Sequence, residues 1–245
     1  MLAILGGSGL AELPGLESVR RETVRTPYGD PSGPLVRGSF GGRDLVFLAR
    51  HGEGHSLPPH QINYRANVQA LKDVGATDIV SIATVGGIRR EFGPGALVVP
   101  HQIIDYTWGR ASTFFEGPDA KVTHIDFTEP YSAALRARIF AAAKACNETV
   151  TDGGVYATTQ GPRLETAAEV SKLERDGADL IGMTGMPEAA LAREAGLEYA
   201  AIAVVVNHAA GKGDSAHAIS HDAIGKVLDE AMLRVRRIIG KMAAA

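Results

Sequence analysis

Cysteine is nearly missing from this chain, with one residue, Cys146, among 245. That excludes an internal disulfide and a thiolate-based zinc site, and it suits a reducing compartment. Cys146 falls at the end of an Ala-rich stretch, where a small buried hydrophobe is expected rather than a nucleophile. No apolar run approaches the length of a membrane span, and the start MLAILGGSGL lacks the basic residues and length of a signal peptide. A cytoplasmic protein without membrane association is therefore expected. Charge of one sign is lacking too: 25 Lys+Arg against 28 Asp+Glu leave a net charge of −3, which gives no long-range attraction for nucleic acid or an anionic membrane. Any anion site must be built locally. No Ser/Gly/Pro-rich linker and no internal repeat divides the chain, and 45% hydrophobic content suffices for a sizeable core, so one domain over 1–245 is expected.

Two nucleotide-binding fingerprints fail as well. The glycine run at Gly6 has no Lys-Ser/Thr ending of a P-loop, and Gly7-Ser8-Gly9 meets Glu12 where a dinucleotide turn needs its third glycine. A dinucleotide dehydrogenase is remote on that ground.

What is present is a succession of apolar strands ending in glycine or polar residues. Leu2 to Leu5 runs into Gly6-Gly7-Ser8-Gly9, whose N–H groups and hydroxyl suit an anion and equally suit a tight turn. Residues 23–42, rich in Gly, Pro and Ser, predict a hairpin at a sheet edge. Asp44 to Ala49 predicts a strand that delivers Arg50 and His51, a bidentate fork beside a donor of adjustable charge and so a clamp for phosphate or carboxylate. His51, His55 and His60 would suit one helix face for a metal, but the intervening glycines and Pro58-Pro59 prevent a helix there. Gln61 to Val74 predicts an amphipathic helix, Thr77 to Ala83 a buried strand, and Thr84-Val85-Gly86-Gly87 a second glycine junction.

Leu97 to Pro100 and Gln102 to Asp105 predict short strands, followed by a long loop from Thr107 to Pro118 of a kind that is usually functional or interfacial. Tyr131 to Cys146 predicts a helix, Val150 to Thr158 a strand, and Glu165 to Asp176 a further helix. Pro187 to Ala195 has Pro at its start and Gly196 at its end, the punctuation of a short helix. Tyr199 to Val206 is apolar without alternation, as in a strand covered on both faces, and it ends at Asn207, which either contacts a ligand or starts a turn. Ser220 to Met242 predicts a long C-terminal helix with Ser220 at its N-cap and His221 in its first turn. Strands thus end at Ser8, Arg50, Thr84, Glu165, Thr184 and Asn207, which together describe a pocket at the carboxyl edge of a sheet with an anion half and a heterocycle-sized half.

At this point the chain resembles the trimeric purine nucleoside phosphorylases and their 5′-methylthioadenosine phosphorylase branch. GGSGL at Gly6, RHGEGH at Arg50, PPHQINYRAN at Pro58, ATVGG around Thr84, THIDFTEPY at Thr123, GVYATTQGPRLETAAE at Gly154, GMTGMPE at Gly182 and the VVVN strand end carry the resemblance, in family order and over nearly the whole chain. It implies a single α/β domain with a central twisted mixed sheet flanked by helices, a homotrimer, and phosphorolysis of a purine nucleoside. No cofactor or metal is implied, inorganic phosphate being the co-substrate, and no nucleic acid partner.

By the same resemblance Ser8, Arg50, His51, Thr84 and Thr184 form the phosphate site, with the backbone of Val85 nearby. Met183 lies along the sugar, His124 reaches a neighbouring subunit's sugar, and Glu165, with Leu164 beside it, and Asn207 hold the purine. Cleavage builds positive charge on the sugar and negative charge on the base, so phosphate under the sugar and an Asn207 donor near N7 are the implied catalytic elements. Methylthioadenosine phosphorylases usually have Asp where this chain has Asn207, and a second acid where it has Ala209; a glutamate with an asparagine instead suits 6-oxopurines. The nearest likeness, through RHGEGH, PPHQINYRAN and TQGPRLET, is to bacterial 5′-methylthioinosine phosphorylases, whereas His221 stands where purine nucleoside phosphorylases bind a 5′-hydroxyl. Methylthio and hydroxyl both remain open at the 5′ position. A nucleoside-binding module without catalysis is the reading from another class.

Overall fold

The computed structural model describes residues 1–244 except Ala11, Gly41 and Asp119, and the backbone but not the side chains of His221 and Ala223. In chain order the elements are β1 (Leu2–Gly6), β2 (Glu17–Glu22), β3 (Leu35–Phe40), β4 (Arg43–Ala49), α1 (Tyr64–Asp73), β5 (Asp78–Gly87), β6 (Leu97–Val99), β7 (Gln102–Asp105), α2 (Ala133–Ala145), β8 (Thr151–Asp152), β9 (Val155–Thr158), α3 (Ala167–Arg175), β10 (Leu180–Gly182), α4 (Glu188–Glu194), β11 (Glu198–His208) and α5 (His221–Ala244). Among the described residues no helix is long and apolar enough to cross a membrane.

The strands form one mixed sheet, ordered β2-β3-β4-β1-β5-β10-β9-β7, with β11 on β5, β6 on β11 and β8 on β6. Its branch at β5 makes room for the site. β11 runs parallel to β5 along nearly the whole strand, from Glu198 opposite Asp78 to His208 opposite Gly87. The other edge of β5 is divided: β1 pairs with Asp78 to Ser81, and β10 pairs antiparallel with Gly86 and Gly87. Among the described pairings no strand lies against Ile82 to Val85 on that edge, and the sheet opens there into a cleft.

Strand alternation sorts the core onto two faces. Ile4, Phe47, Ile82 and Ile202 pack with Leu135 and Ile139 of α2 and Val235 and Ile238 of α5. Leu5, Leu48, Ile79 and Ala201 pack with Val68 and Leu71 of α1 and Leu191 of α4. Coverage on both faces is why the β11 sequence shows no polar alternation.

The structure moves several expected boundaries. The helix expected from Gln61 starts at Tyr64, because the Asn63 side chain accepts from the Ala66 N–H and caps it. The helix expected from Glu165 starts at Ala167, where Thr166 and Glu169 form a capping box and leave Glu165 in the preceding loop. Pro187 is the N-cap of α4 rather than its first residue. Thr84 to Gly87 is not a turn after β5 but its continuation; Gly87 is there because a Cβ would stand 1.8 Å from the Phe92 carbonyl oxygen. The strand expected over Val150 to Thr158 is two, divided at Gly153 and Gly154, both at positive φ. The edge hairpin expected within 23–42 pairs β3 with β2, an exposed ESVRRE strand that carries no apolar pattern to announce it. Asn207 lies within β11 rather than beyond it, just after a register shift between Val205 and Asn207.

Candidate active site

The cleft widens into a cavity of about 580 Å³. Ser8 follows β1, Arg50 and His51 follow β4, Thr84 and Val85 lie in β5, Leu164 and Glu165 precede α3, Met183 and Thr184 follow β10, and Asn207 stands near the end of β11. All of them line it. His124 is exposed and is not part of the lining of its own chain's cavity. His221 opens α5, and its side chain lies outside what the structure describes.

The bidentate fork of Arg50 does not face the cavity as the sequence suggested. Its Nε donates to Glu188 Oε2 at 2.6 Å and its Nη2 to Glu188 Oε1 at 3.0 Å, with both side chains fully buried. Nη2 also donates to Ser81 Oγ at 2.6 Å, and Nη1 to the Ile82 carbonyl at 3.0 Å, capping the uncovered edge of β5. A guanidinium has five N–H groups, so Nη1 keeps one for an anion. Burial alone would weaken protonation, but the Glu188 carboxylate more than reverses that and holds the pKa above its ordinary value. This part of the cavity therefore offers one cationic N–H whose charge is largely balanced behind it by Glu188. Ser81, Glu188 and Tyr199 are the part of this site that sequence reasoning missed: Ser81 Oγ and Tyr199 OH both donate to Glu188 Oε1, at 2.8 and 2.7 Å. The signal was available, since Ser81 is the one polar residue within IVSIA and Glu188 begins an otherwise Ala/Leu-rich turn.

His51 carries its proton on Nδ1, because the atom lies 2.8 Å from the Leu57 carbonyl, which can only accept. Burial and the neighbouring Arg50 charge lower its pKa to about 4. The ring is neutral at pH 7, which fixes the state of a donor whose charge the sequence left adjustable, and it stacks on His55 with centroids 4.1 Å apart. The folded imidazole protonates near 4 and an unfolded one near 6.5, so the unfolded state holds more protons between these values and stability falls as pH drops through that window. Urea unfolding at pH 4.5 and pH 7 should show the lower stability at pH 4.5, and His51→Gln should reduce the difference. A difference of the same size in both proteins would contradict the assignment.

At the other end Thr159 Oγ1 donates to Glu165 Oε1 at 2.6 Å, which leaves Oε2 for a ligand donor. Asn207 Nδ2 donates to the His208 carbonyl at 2.5 Å, so one N–H and Oδ1 stay available. The Met183 side chain packs against Gly161, where a Cβ would stand 2.4 Å from Sδ; glycine lets the two loops close on each other. Ile219, Ile224 and Leu228 form an apolar wall, and Leu228 lies against Gly9 beside the Ser8 loop.

A cavity at a fork of a mixed α/β sheet, lined by hydroxyl and guanidinium donors together with a carboxylate and an amide, suits an anion held beside a polar heterocycle. The chain belongs to the phosphorylase superfamily, which it matches over residues 1–244. It is 53% identical over 242 residues to the protein named probable S-methyl-5′-thioinosine phosphorylase of Xanthomonas campestris pv. campestris, covering 99% of this chain and 96% of that one. It is 45% identical over 215 residues to the 6-oxopurine nucleoside phosphorylase of Pyrococcus furiosus, covering 86% and 80%. The methylthioadenosine phosphorylase of Schistosoma mansoni in complex with adenine superposes with a TM-score of 0.94 at 34% identity, covering 99% of this chain and 90% of that one.

Proposed function

We propose that this chain catalyses phosphorolysis of 6-oxopurine nucleosides, with S-methyl-5′-thioinosine preferred, giving hypoxanthine and 5-methylthioribose 1-phosphate. Its similarity to the Xanthomonas and Pyrococcus proteins supports the chemistry. The observation that carries the choice of substrate is that Glu165 and Asn207 share the cavity with an apolar wall of Ile219, Ile224 and Leu228. A carboxylate accepts the N1–H that a 6-oxopurine has and a 6-aminopurine lacks, and an apolar wall suits a methylthio group better than a hydroxyl.

In this reading phosphate rests on Ser8, Thr84, Thr184 and the remaining Arg50 N–H, beside His51 and the Val85 backbone, with its attacking oxygen under C1′. The N9–C1′ bond breaks as the P–O–C1′ bond forms, and the electron pair leaves with the purine, where an Asn207 N–H stabilises it near N7. The hydrogen phosphate proton, released as the ester forms, completes the neutral hypoxanthine directly or through water, so the step balances with phosphate and neither metal nor cofactor is invoked.

Side-by-side phosphorolysis of methylthioinosine, inosine, guanosine, adenosine and methylthioadenosine tests the reading. Methylthioinosine should have the highest kcat/KM, and omission of phosphate should abolish base release. Nucleoside binding without turnover would favour a binding module, and inosine above methylthioinosine would favour a general purine nucleoside phosphorylase.

The assembly proposed is a homotrimer in which His124 completes a neighbour's sugar site. It is supported by the exposure of His124 and of Trp108 and Val122 in the same long connection, at 72% and 75%. Light scattering should give three times the chain mass; a fully active monomer would contradict the placement.

A further inference from the structure

We propose that Arg110 is a positioning residue that sets the base-facing and sugar-facing loops of the cavity in register. The proposal rests on the phosphorolysis reading. Arg110 sits in the long loop after β7, is not part of the cavity lining, and yet spends its whole guanidinium on the two loops that are. Nη1 donates to the main-chain carbonyls of Met183 and Met186 at 2.9 and 2.6 Å. Nη2 donates to those of Thr159 and Gln160 at 3.2 and 2.9 Å. Nε donates to Gln160 Oε1 at 3.2 Å. All five N–H groups thus have an acceptor, and with the Tyr64 hydroxyl, which shares the Nη1 hydrogens, four of the six acceptors are backbone. Tyr64 holds the group from below, with its hydroxyl 3.1 Å from Nη1 and its ring 5.3 Å from the guanidinium carbon.

The carbonyls belong to two different chain segments, one leaving β9 and one leaving β10, and these strands are parallel neighbours with Thr158 opposite Gly182. Beyond that last pair the sheet no longer fixes their spacing. Arg110 takes over the task at the point where both segments become ligand-facing. Each has a direct consequence in the cavity: the Thr159 whose carbonyl Arg110 holds donates its hydroxyl to Glu165, and the Met183 whose carbonyl it holds lines the sugar position. No apolar residue could make converging carbonyls tolerate one another, and lysine has only three donors for the set. Of the residues placed around phosphate, Ser8, Arg50, His51 and Thr84 lie outside these two segments, whereas Thr184 lies between Met183 and Met186 on one of them, so the nucleoside should suffer more than phosphate.

The test is steady-state phosphorolysis of methylthioinosine by wild type, Arg110→Met and Arg110→Lys, with nucleoside and phosphate varied separately, alongside calorimetric binding of hypoxanthine. Arg110→Met should lower kcat/KM for the nucleoside by about 10²-fold, the scale of an ångström-sized misplacement. Its nucleoside KM should rise at least about tenfold, its phosphate KM should rise by a clearly smaller factor, since Thr184 alone of the phosphate residues shares a held segment, and hypoxanthine binding should weaken in parallel. Arg110→Lys should restore part of the loss. If Arg110→Met does not fold, Arg110→Lys carries the same comparison. Unchanged kinetics, or a loss of turnover with both KM values unchanged, would overturn the proposal. A wild type inactive on every nucleoside would defeat the phosphorylase reading instead, and hypoxanthine affinity would still report on Arg110.

Discussion

Glu188→Ala is expected to lower stability by about 3–5 kcal/mol and to remove nearly all activity, although Glu188 itself contacts no ligand position. Both members of the Arg50–Glu188 pair are inaccessible to solvent. Deleting the carboxylate strands a buried guanidinium together with the hydroxyls of Ser81 and Tyr199, each of which now donates to Glu188. None of these groups can reach water, so the cost is that of unsatisfied buried donors and an uncompensated charge, not of one lost bond. For a chain of this length the melting temperature should fall on the order of 10 °C. Tyr199→Phe removes one hydrogen bond and leaves the charges paired, so it should cost only about 1 kcal/mol. The double replacement Arg50→Met/Glu188→Leu separates stability from function: it removes the uncompensated charge but leaves the Ser81 and Tyr199 hydroxyls and the Ile82 carbonyl without these partners, so stability should recover in part while phosphate-dependent turnover does not. Chemical denaturation and the phosphorolysis assay read the two effects. A Glu188→Ala protein within about 1 kcal/mol of wild type would sink the account.

The strand ends were readable because each joins an apolar run to a glycine or polar residue, and those junctions do meet at one cavity. The run alone could not say where a strand stops. β5 passes through Thr84 to Gly87 because β11, far along the chain, pairs with it there, while Phe92 crowds Gly87. The same holds for polarity. Arg50 and His51 do reach the cavity, but an arginine can serve one partner through its fork and keep another N–H, and only the fold shows that Glu188, far along the chain, takes the fork. Arg110 was invisible for a related reason: its acceptors are carbonyls, which every residue has. His51 illustrates another case: its type suggested a donor of adjustable charge, and burial and the Leu57 carbonyl set its protonation.

Asn207→Asp should turn a 6-oxopurine enzyme part of the way toward 6-aminopurines. Asn207 has one N–H committed to the His208 carbonyl and a second N–H and Oδ1 available, so it can donate at N7 while tolerating O6. An ionised aspartate has acceptors only; facing N7 and O6 it opposes two further acceptors in a partly buried site. Methylthioinosine should therefore lose about 10²–10³-fold in kcat/KM, the scale at which a site rejects a ligand that leaves its polar groups unpaired. A 6-amino group can donate to the new carboxylate, so methylthioadenosine should lose much less, and the ratio of the two should shift by at least about tenfold. The switch stays partial because Glu165, held by Thr159 through Oε1, still presents Oε2 to a ring position that carries a hydrogen only in the 6-oxopurine. The His208 contact supplies the competing outcome. If Asn207 serves to hold the end of β11 after its register shift, aspartate breaks that contact and every purine should suffer by the same factor. Kinetics of the four nucleosides inosine, adenosine, methylthioinosine and methylthioadenosine, on wild type and variant, separate the two: a uniform loss means that Asn207 does not read the base.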